Sequence, residues 1–186
     1  MKAVTFSYDD GVTQDIRLVE ILNRYNLKAT FNLNSELLGK DGSLDILGKR
    51  ILHNKVQPHE ITEVYKGHEI AAHTLTHPDM TEMPADEVIR QVEQDRLNLS
   101  ELSGTEVIGM AYPGRQPNYN SRIARIIKNG TGVKYARTTI CNKDFSYQSD
   151  LYEFHPSVFH RDWDQLYNLA EKFVELDPKS EKIFYI

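Results

Sequence analysis

The sequence predicts a single α/β domain built on a parallel sheet, and three observations support this fold class. The 186 residues are 40% hydrophobic and 26% charged, a composition typical of one globular domain with a sizeable core. Short apolar runs rich in strand-forming residues alternate with segments whose apolar residues recur at helical spacing. No internal repeat, low-complexity tract or interdomain linker breaks this alternation, so we expect one domain over residues 1–186.

The apolar runs define the predicted strands. In chain order they cover residues 3–6, 29–33, 69–72, 106–110, 133–137 and 182–186. Because helical patterns lie between these runs, the strands are expected to form βαβ units and hence a parallel sheet.

The helices are predicted from apolar spacing and from capping residues. Apolar residues at helical spacing predict helices over 16–25, 88–102 and 166–174. Pro84 and Gly104 stand where the second of these helices can begin and end, and Asn120 and Gly130 bracket a further short helix. The long polar stretch between the second and third strands is expected to hold a helix near 59–65.

Composition excludes several classes of protein. The formal net charge of −5 provides no basic face, so neither nucleic acid nor an anionic membrane surface is an expected partner. The one cysteine excludes a disulfide framework and a four-cysteine zinc site, so a metal would need nitrogen and oxygen ligands. The sequence shows no signal peptide or membrane span, which predicts a cytoplasmic protein, or a cell-wall or extracellular one if the sequence is a trimmed part of a longer chain. Nothing in the sequence indicates an oligomeric state.

Polar clusters follow three of the predicted strands. Asp9 and Asp10 come after the first strand, His73 and His77 after the third, and residues 112–115 after the fourth. The carboxyl ends of parallel strands meet at one edge of the sheet, where α/β proteins bind ligands. The three clusters are therefore expected to lie together.

The two histidines lie in the segment HTLTHP. A His-x3-His spacing can direct two imidazoles at one metal ion, either on a helical turn or in a tight loop, and Pro78 favours the loop. The pair alone is a weak signal, because two hydrogen-bonded histidines at the end of a strand would give the same pattern. Its position beside the aspartates strengthens the metal interpretation.

The two aspartates lie in the segment TFSYDDG. Adjacent side chains on a strand point in opposite directions, but a turn at Gly11 can bring both carboxylates to one site. One carboxylate could then bind a metal while the other acts as a general base towards water. The alternative is an ordinary solvated turn, for which Asp-Asp-Gly is a common composition.

Together, the segments TFSYDDG, HTLTHP and AYPGRQPN resemble, in this order, the motifs of the polysaccharide deacetylases, the NodB-homology enzymes of carbohydrate esterase family 4. The resemblance covers nearly the whole chain. It implies a distorted (β/α) barrel of about seven strands. It also implies a metal-dependent hydrolase that removes N-acetyl or O-acetyl groups from amino-sugar polysaccharides or oligosaccharides.

The resemblance assigns roles to the first two motifs. By this resemblance Asp9 is the general base, while Asp10, His73 and His77 hold a divalent metal, most often Zn²⁺ and sometimes Co²⁺ or Ni²⁺. Two histidines and one carboxylate also suit iron(II) oxygenases, so the ligand types leave the metal open. The adjacent second aspartate favours hydrolysis.

The third motif departs from the family pattern of Arg-x-Pro-Tyr. Aligned on Pro113, the arginine that orients the base is replaced by Ala111. Arg115 is the candidate to replace it, although an ordinary surface arginine is an equal interpretation. The backbone N–H of Gly114 is the expected oxyanion donor, and Tyr112 and Pro113 are expected to shape and line the substrate-binding loop.

The carboxyl-terminal part departs as well. The family has a late strand leading to a histidine that protonates the leaving amine, whereas this sequence stops at Ile186. A complete eight-stranded barrel takes about 250 residues, so the barrel is expected to be incomplete at its carboxyl end. His155 and His160 are the candidate general acids, with hydrogen-bonded structural histidines as the alternative. Trp163 is a candidate sugar-stacking residue or a core residue opening the last helix.

Three functional hypotheses follow. The first is a metal-dependent deacetylase acting on an N-acetylated carbohydrate. The second is a non-catalytic metal-binding or carbohydrate-binding domain of the same fold, which would have no need of Asp9. The third is a hydrolase of a small non-sugar amide, which would have a closed pocket where a polymer needs an open groove.

Overall fold

The structure is a computed structural model that describes residues 1–114 and 116–186. Its strands are β1 Lys2–Asp9, β2 Ala29–Leu33, β3 Ser43–Ile46, β4 Lys49–Leu52, β5 Glu69–Ala72, β6 Gly109–Ala111, β7 Tyr135–Arg137 and β8 Lys182–Tyr185. Six of these strands pair in parallel in the order β7-β6-β5-β2-β1-β8 and curl into a half barrel. All six strands predicted from the sequence lie in this sheet, which has one strand fewer than the expected seven.

The helices follow the predicted periodicity closely. They are α1 Asp15–Arg24, α2 Ile61–Val64, α3 Ala85–Ile89, α4 Asp95–Ser103, α5 Ser121–Gly130 and α6 Trp163–Glu175. A π-helical turn at Arg90–Gln94 joins α3 to α4, so together they form the single helix predicted after Pro84. Gly104 ends this helix with a left-handed φ of 69°, a conformation that glycine adopts without steric cost. Asn120 caps α5 by accepting the backbone N–H of Ile123 at 3.0 Å.

The segment between β2 and β5 contains a hairpin that the sequence analysis missed. Strands β3 and β4 pair antiparallel and most of their residues are exposed, so they lack the alternation of apolar and polar residues that marks a half-buried strand. The turn is made by Leu47 and Gly48, both with positive φ, and Leu-Gly is not a typical hairpin turn sequence. The predicted helix near 59–65 is present as a 3₁₀ turn at Pro58–Glu60 followed by α2.

The main core lies between the sheet and α1 to α5. All five residues of β2 are buried, as expected for a central strand of a parallel sheet covered on both faces. The helices contribute the buried side chains Val19, Leu22, Val88, Val92, Leu99, Ile123 and Ile127. A second cluster joins α6 to β8, where the rings of Phe173 and Phe184 lie 5.5 Å apart between centroids. Burying a side chain of this size contributes about 2 to 3 kcal/mol.

The strand register brings the polar clusters to the carboxyl edge of the sheet. Asp9 at the end of β1 pairs with Asn32 of β2, and Ala111 at the end of β6 pairs with Arg137 of β7. His73 directly follows β5 and donates its backbone N–H to Leu33. Within the part of the chain that the structure describes, no helix has the length and apolar character needed to cross a bilayer.

Candidate active site

A sharp turn after β1 orients both aspartates. Asp10 and Gly11 have left-handed φ values of 80° and 60°, so the chain leaves the extended conformation directly after Asp9. A Cβ atom at position 11 would lie 2.8 Å from Leu33 Cδ2, which together with the positive φ explains the glycine. Asp9 and Asp10 both line one cavity, as the sequence analysis predicted for a turn at this position.

Asp10, His73 and His77 form a cluster that could hold a metal ion. Each offers one ligand atom, and these atoms all lie within 4.8 Å of one another. The two histidines lie in a loop in which Thr74 and His77 have positive φ, which agrees with the loop predicted from Pro78. The turn after β1 and the loop after β5 lie at the same edge of the sheet. Together they bring the three side chains close to one another.

Hydrogen bonding prepares His73 for metal binding. Its Nδ1 lies 2.9 Å from the carbonyl oxygen of Ala111 and donates a proton to it, which leaves the Nε2 lone pair free. Burial lowers the pKa of His73, so its imidazole is neutral, the form that binds metals. The carboxylate of Asp10 and the imidazoles of His73 and His77 therefore form a donor set that fits a divalent ion such as Zn²⁺.

Buried polar residues fix the shape of the histidine loop. Asp95 of α4 accepts the backbone N–H groups of His73 at 2.9 Å and of Ser35 at 2.7 Å, and burial raises its pKa to about 7. The side-chain amide of Asn34 donates to the carbonyl oxygens of His73 and Thr74. Hydrogen bonds behind a histidine of this kind fix the orientation in which it can bind a metal.

Asp9 has a different environment from Asp10. The side-chain amide of Asn32 donates to Asp9 Oδ1 at 2.9 Å, and Nη2 of Arg137 donates to the same oxygen. Burial acts to raise the pKa of Asp9, but the charge of Arg137 and the hydrogen bonds outweigh burial and lower the pKa to about 2. Asp9 is therefore ionised at any pH near neutrality.

The sequence analysis missed Arg137. It placed residue 137 correctly at the end of a strand, but looked for the arginine only within the third motif. In the sheet, Arg137 is the register partner of Ala111, the position at which the family pattern has its arginine. The sequence could have indicated Arg137 as a site residue, because it is a charged residue at the carboxyl end of a predicted strand. Arg115, the predicted replacement, lies outside the described residues.

His53 and Lys55 also surround Asp10 and were not predicted. His53 Nε2 lies 3.2 Å from Asp10 Oδ2, and Lys55 Nζ lies 3.4 Å from Asp10 Oδ1. Both residues follow the hairpin and reach the site because their segment is hydrogen-bonded to the turn after β1, for example from Val56 N–H to the carbonyl of Gly11 at 2.9 Å. This contact depends on a tertiary arrangement that local sequence patterns do not show.

The third motif supports the site mainly through its backbone. Gly114 lines the cavity and its N–H donates to His77 Nε2 at 3.3 Å. Tyr112 and Pro113 are buried, and the Tyr112 hydroxyl donates to the carbonyl of Tyr152 at 2.8 Å. The prediction that these two side chains line the substrate site is therefore not supported. Both side chains are buried, so they can only shape the loop.

The three carboxyl-terminal candidates lie in different places. His160 lines the cavity, and its ring lies 5.8 Å from that of Tyr8 between centroids. Among the described residues, neither His155 nor Trp163 lines this cavity. His155 Nδ1 is 2.7 Å from Thr138 Oγ1. Trp163 is 60% exposed at the start of α6, so it is not a core residue.

The cavity is lined by both charged and apolar side chains. Its volume is about 640 Å³, within the range of sites for small ligands. The lining includes Asp9, Asp10, His53 and Arg137 together with the largely apolar Tyr8, Val158, Phe159 and Ile186. An ionised carboxylate beside a metal-binding cluster is the arrangement needed to remove a proton from water and stabilise negative charge on a carbonyl oxygen.

Comparisons with known proteins agree with this arrangement. The family model described as polysaccharide deacetylase matches residues 1–136. A bifunctional xylanase/deacetylase from Pseudobutyrivibrio xylanivorans is 27% identical over 107 residues, which are 57% of this chain and 15% of that protein.

Two solved structures share the fold. The deacetylase PplD of Streptococcus pyogenes, solved in complex with acetate, gives a TM-score of 0.65 at 21% identity, over 80% of this chain and 61% of that chain. BC0361, a polysaccharide deacetylase from Bacillus cereus, gives a TM-score of 0.67 at 16% identity, over 88% of this chain and 49% of that chain. These likenesses confirm the predicted distorted (β/α) barrel. The chain spans less than two thirds of the length of each of these relatives.

Proposed function

The chain belongs to the polysaccharide deacetylase family, and from this premise we propose that it is a hydrolase that removes acetyl groups from a carbohydrate with the help of a divalent metal. The observation that carries the proposal is the position of Asp9, which is ionised and lines the same cavity as Asp10, the carboxylate that forms a cluster with His73 and His77. A site that only bound a metal or a sugar would not require this second carboxylate.

The metal would be held by Asp10, His73 and His77. When bound, it would supply Lewis acidity, lowering the pKa of a water molecule and polarising the acetyl carbonyl. The donor set fits Zn²⁺, and Co²⁺ or Ni²⁺ could take the same ligands.

Asp9 would act as the general base. Arg137 and Asn32 hold its carboxylate in one orientation and keep it ionised, so it is ready to accept the proton of the attacking water. Arg137 does not touch substrate in this scheme and acts by positioning Asp9. This assigns to Arg137 the role that the resemblance gives to an arginine of the third motif.

Gly114 would stabilise the negative charge that develops on the acetyl oxygen. Its N–H donates to His77 Nε2 at 3.3 Å. A lone pair engaged with a metal cannot also accept this hydrogen bond, so metal binding by His77 would release the N–H of Gly114. The freed donor lies at the edge of the cavity, where it can serve the oxyanion.

His160 would protonate the leaving amine or sugar oxygen. Of the two candidate histidines, it is the one that lines the cavity with Asp9. Burial and the positive charge of Arg161 lower the pKa of His160, and the negative charge of Asp9 offsets only part of this effect. Imidazole is the side chain that most often serves as a general acid, which is the role proposed here for His160.

The proposal is tested by metal content and acetate release. Purified protein is stripped with a chelator, reloaded with Zn²⁺ or Co²⁺, and analysed by inductively coupled plasma mass spectrometry. Acetate release is then measured from N-acetylglucosamine oligomers, acetylated xylan and a small non-sugar acetamide. We expect about one metal per chain from the single three-ligand cluster and metal-dependent release from a carbohydrate.

The other outcomes discriminate among the hypotheses. Release from the small acetamide alone would favour a non-sugar amide hydrolase and contradict the carbohydrate substrate. Bound metal with no release from any of the three substrates would favour a binding domain. A failure to bind metal under any loading condition would reject the proposed mechanism.

A further inference from the structure

Both carboxylate oxygens of Asp10 have a side-chain nitrogen of another residue close by. Lys55 Nζ lies 3.4 Å from Oδ1, and His53 Nε2 lies 3.2 Å from Oδ2. The oxygen that faces Lys55 is also the one that faces His77, whose Nε2 is 3.8 Å away. The lysine and the metal-binding histidine therefore converge on the same oxygen of Asp10.

The backbone that carries Lys55 is fixed against the site. Lys55 N–H donates to the carbonyl of Lys40 at 2.9 Å, and on either side Asn54 and Val56 are hydrogen-bonded to Thr13 and Gly11. The Lys55 side chain is only 9% exposed. Its second contact is His53 Nε2, at 3.3 Å, which leaves the ammonium group close to Asp10 even if it shifts.

We propose that the ammonium group of Lys55 competes with the divalent metal for Asp10 and thereby weakens metal binding. This inference rests on the metal site of the proposed function. A half-buried carboxylate needs a partner, and Lys55 supplies one to Asp10. The metal would replace this partner. Breaking the existing ion pair between Lys55 and Asp10 would therefore offset part of the free energy of metal binding.

Charge repulsion adds to this competition. A divalent ion on Asp10 Oδ1 would lie within a few ångströms of the Lys55 ammonium group, and like charges repel strongly at such distances where water is largely excluded. The three ligands alone would therefore bind metal more tightly than they do beside Lys55. The same lysine keeps Asp10 paired and the turn ordered when no metal is present.

The test compares metal affinity among lysine variants. The dissociation constants of Zn²⁺ and Co²⁺ are measured by competition with a chromophoric chelator in the wild type, Lys55→Met, Lys55→Arg and Lys179→Met. Lys55→Met removes the charge but keeps an unbranched side chain, and we expect it to bind metal at least about tenfold more tightly. Lys55→Arg keeps the charge and should bind no more tightly than the wild type. Lys179→Met, in the exposed turn before β8, makes the same change in net charge and should match the wild type.

The outcomes separate this inference from the proposed function. Metal binding by the wild type with equal or weaker binding by Lys55→Met would overturn the role of Lys55 and leave the metal site intact. Absence of binding in the wild type and in Lys55→Met alike would reject the metal site itself, and the inference with it. Binding by Lys55→Met alone would support the inference strongly.

A second readout guards against misfolding. Thermal midpoints are measured in chelator and in excess Zn²⁺, and the metal-induced shift should be larger for Lys55→Met than for the wild type, because tighter binding to the native state stabilises it more. If Lys55→Met does not fold in chelator, Lys55→Gln takes its place, since its amide can donate to Asp10 without a charge. An unchanged shift in a folded neutral variant would contradict the proposal.

Discussion

The two adjacent aspartates are held by different kinds of structure. Asp9 is bound by side chains of the sheet, Asn32 of β2 and Arg137 of β7. Asp10 is surrounded by side chains of loops, His53, Lys55 and His77. We call these the sheet half and the loop half of the site.

The difference explains how two like charges can stand side by side. In the sheet half, a guanidinium that is fixed at the end of a strand keeps Asp9 charged and immobile, as a base requires. In the loop half, Lys55 is a single side chain that a metal can displace from Asp10. The carboxylate of Asp9 thus stays bound to Arg137, whereas the carboxylate of Asp10 can bind a ligand.

Asp9→Asn tests the sheet half most directly. The amide cannot accept the proton of water, so we expect acetate release to fall by about 10³-fold while metal content stays unchanged. The measurement is acetate release by the zinc-loaded protein, with Asp41→Asn on an exposed loop as the control. Full activity in Asp9→Asn would contradict the assignment of Asp9 as the general base.

His77→Ala tests the loop half. Loss of a direct ligand should weaken metal affinity by more than the roughly 10- to 100-fold that loss of an outer partner causes. Because the His77 side chain is 33% exposed, the thermal midpoint in chelator should change little. Chelator competition measures the affinity, and His59→Ala, an exposed histidine, is the control. Wild-type affinity in His77→Ala would remove His77 from the metal site.

Arg137→Met breaks the partner of Asp9 without touching the loop half. We expect acetate release to fall by roughly 10- to 100-fold, while metal affinity stays within a few-fold of the wild type. Asp9, whose side chain is 33% exposed, would lose its counter-charge, and loss of a hydrogen-bonded charge partner in this half-buried setting costs about 1 to 3 kcal/mol of stability. Arg125→Met on the exposed face of α5 is the matched control.

The pH dependence of Arg137→Met gives a second readout. In the wild type the pKa of Asp9 is lowered from 3.8 to about 2, so the stabilisation by the ion pair is present above pH 3.8 and is lost as the pH falls through 2. Without Arg137, the largest effect that opposes burial is lost, so the pKa of Asp9 rises. The acidic limb of the activity profile should therefore move to higher pH. An unmoved limb would show that Arg137 acts only on stability.

Tyr112→Phe is expected to have the smallest effect. It removes the hydrogen bond to the carbonyl of Tyr152, which should lower the free energy of unfolding by about 1 kcal/mol. Because Tyr112 is fully buried, acetate release should be unchanged. Urea unfolding and acetate assays measure the two quantities, with exposed Tyr25→Phe as the control. A large increase in KM would return Tyr112 to the substrate site.

Residues that directly follow a predicted strand were more accessible to sequence analysis than residues that tertiary pairing brings to the site. Apolar runs located all six strands, and their carboxyl ends placed Asp9, Asp10 and His73 at one edge. Arg137 obeyed the same rule but was overlooked because the arginine was sought in the third motif. His53 and Lys55 could not be found in this way, since only the pairing of their segment with the turn after β1 brings them to Asp10.

The carboxyl-terminal region shows a further limit of sequence patterns. His155 and His160 stand five residues apart in irregular chain, where no periodicity indicates which side chain faces the cavity. Tertiary packing decides this, and it brings His160 to Tyr8 while His155 bonds to Thr138. Irregular segments are therefore the part of the site for which three-dimensional structure adds most.

The pairing of Ala111 with Arg137 has a consequence for how relatives of this protein are recognised. Neighbouring strands lie about 4.8 Å apart and paired residues share a face of the sheet, so a long side chain lost from one strand can be replaced from the next. A search that rejects chains lacking the motif arginine would discard this one as degenerate. A search that also inspects the residue paired with this position on the neighbouring strand would retain the chain. It would distinguish an arginine that has moved to the next strand from one that has been lost.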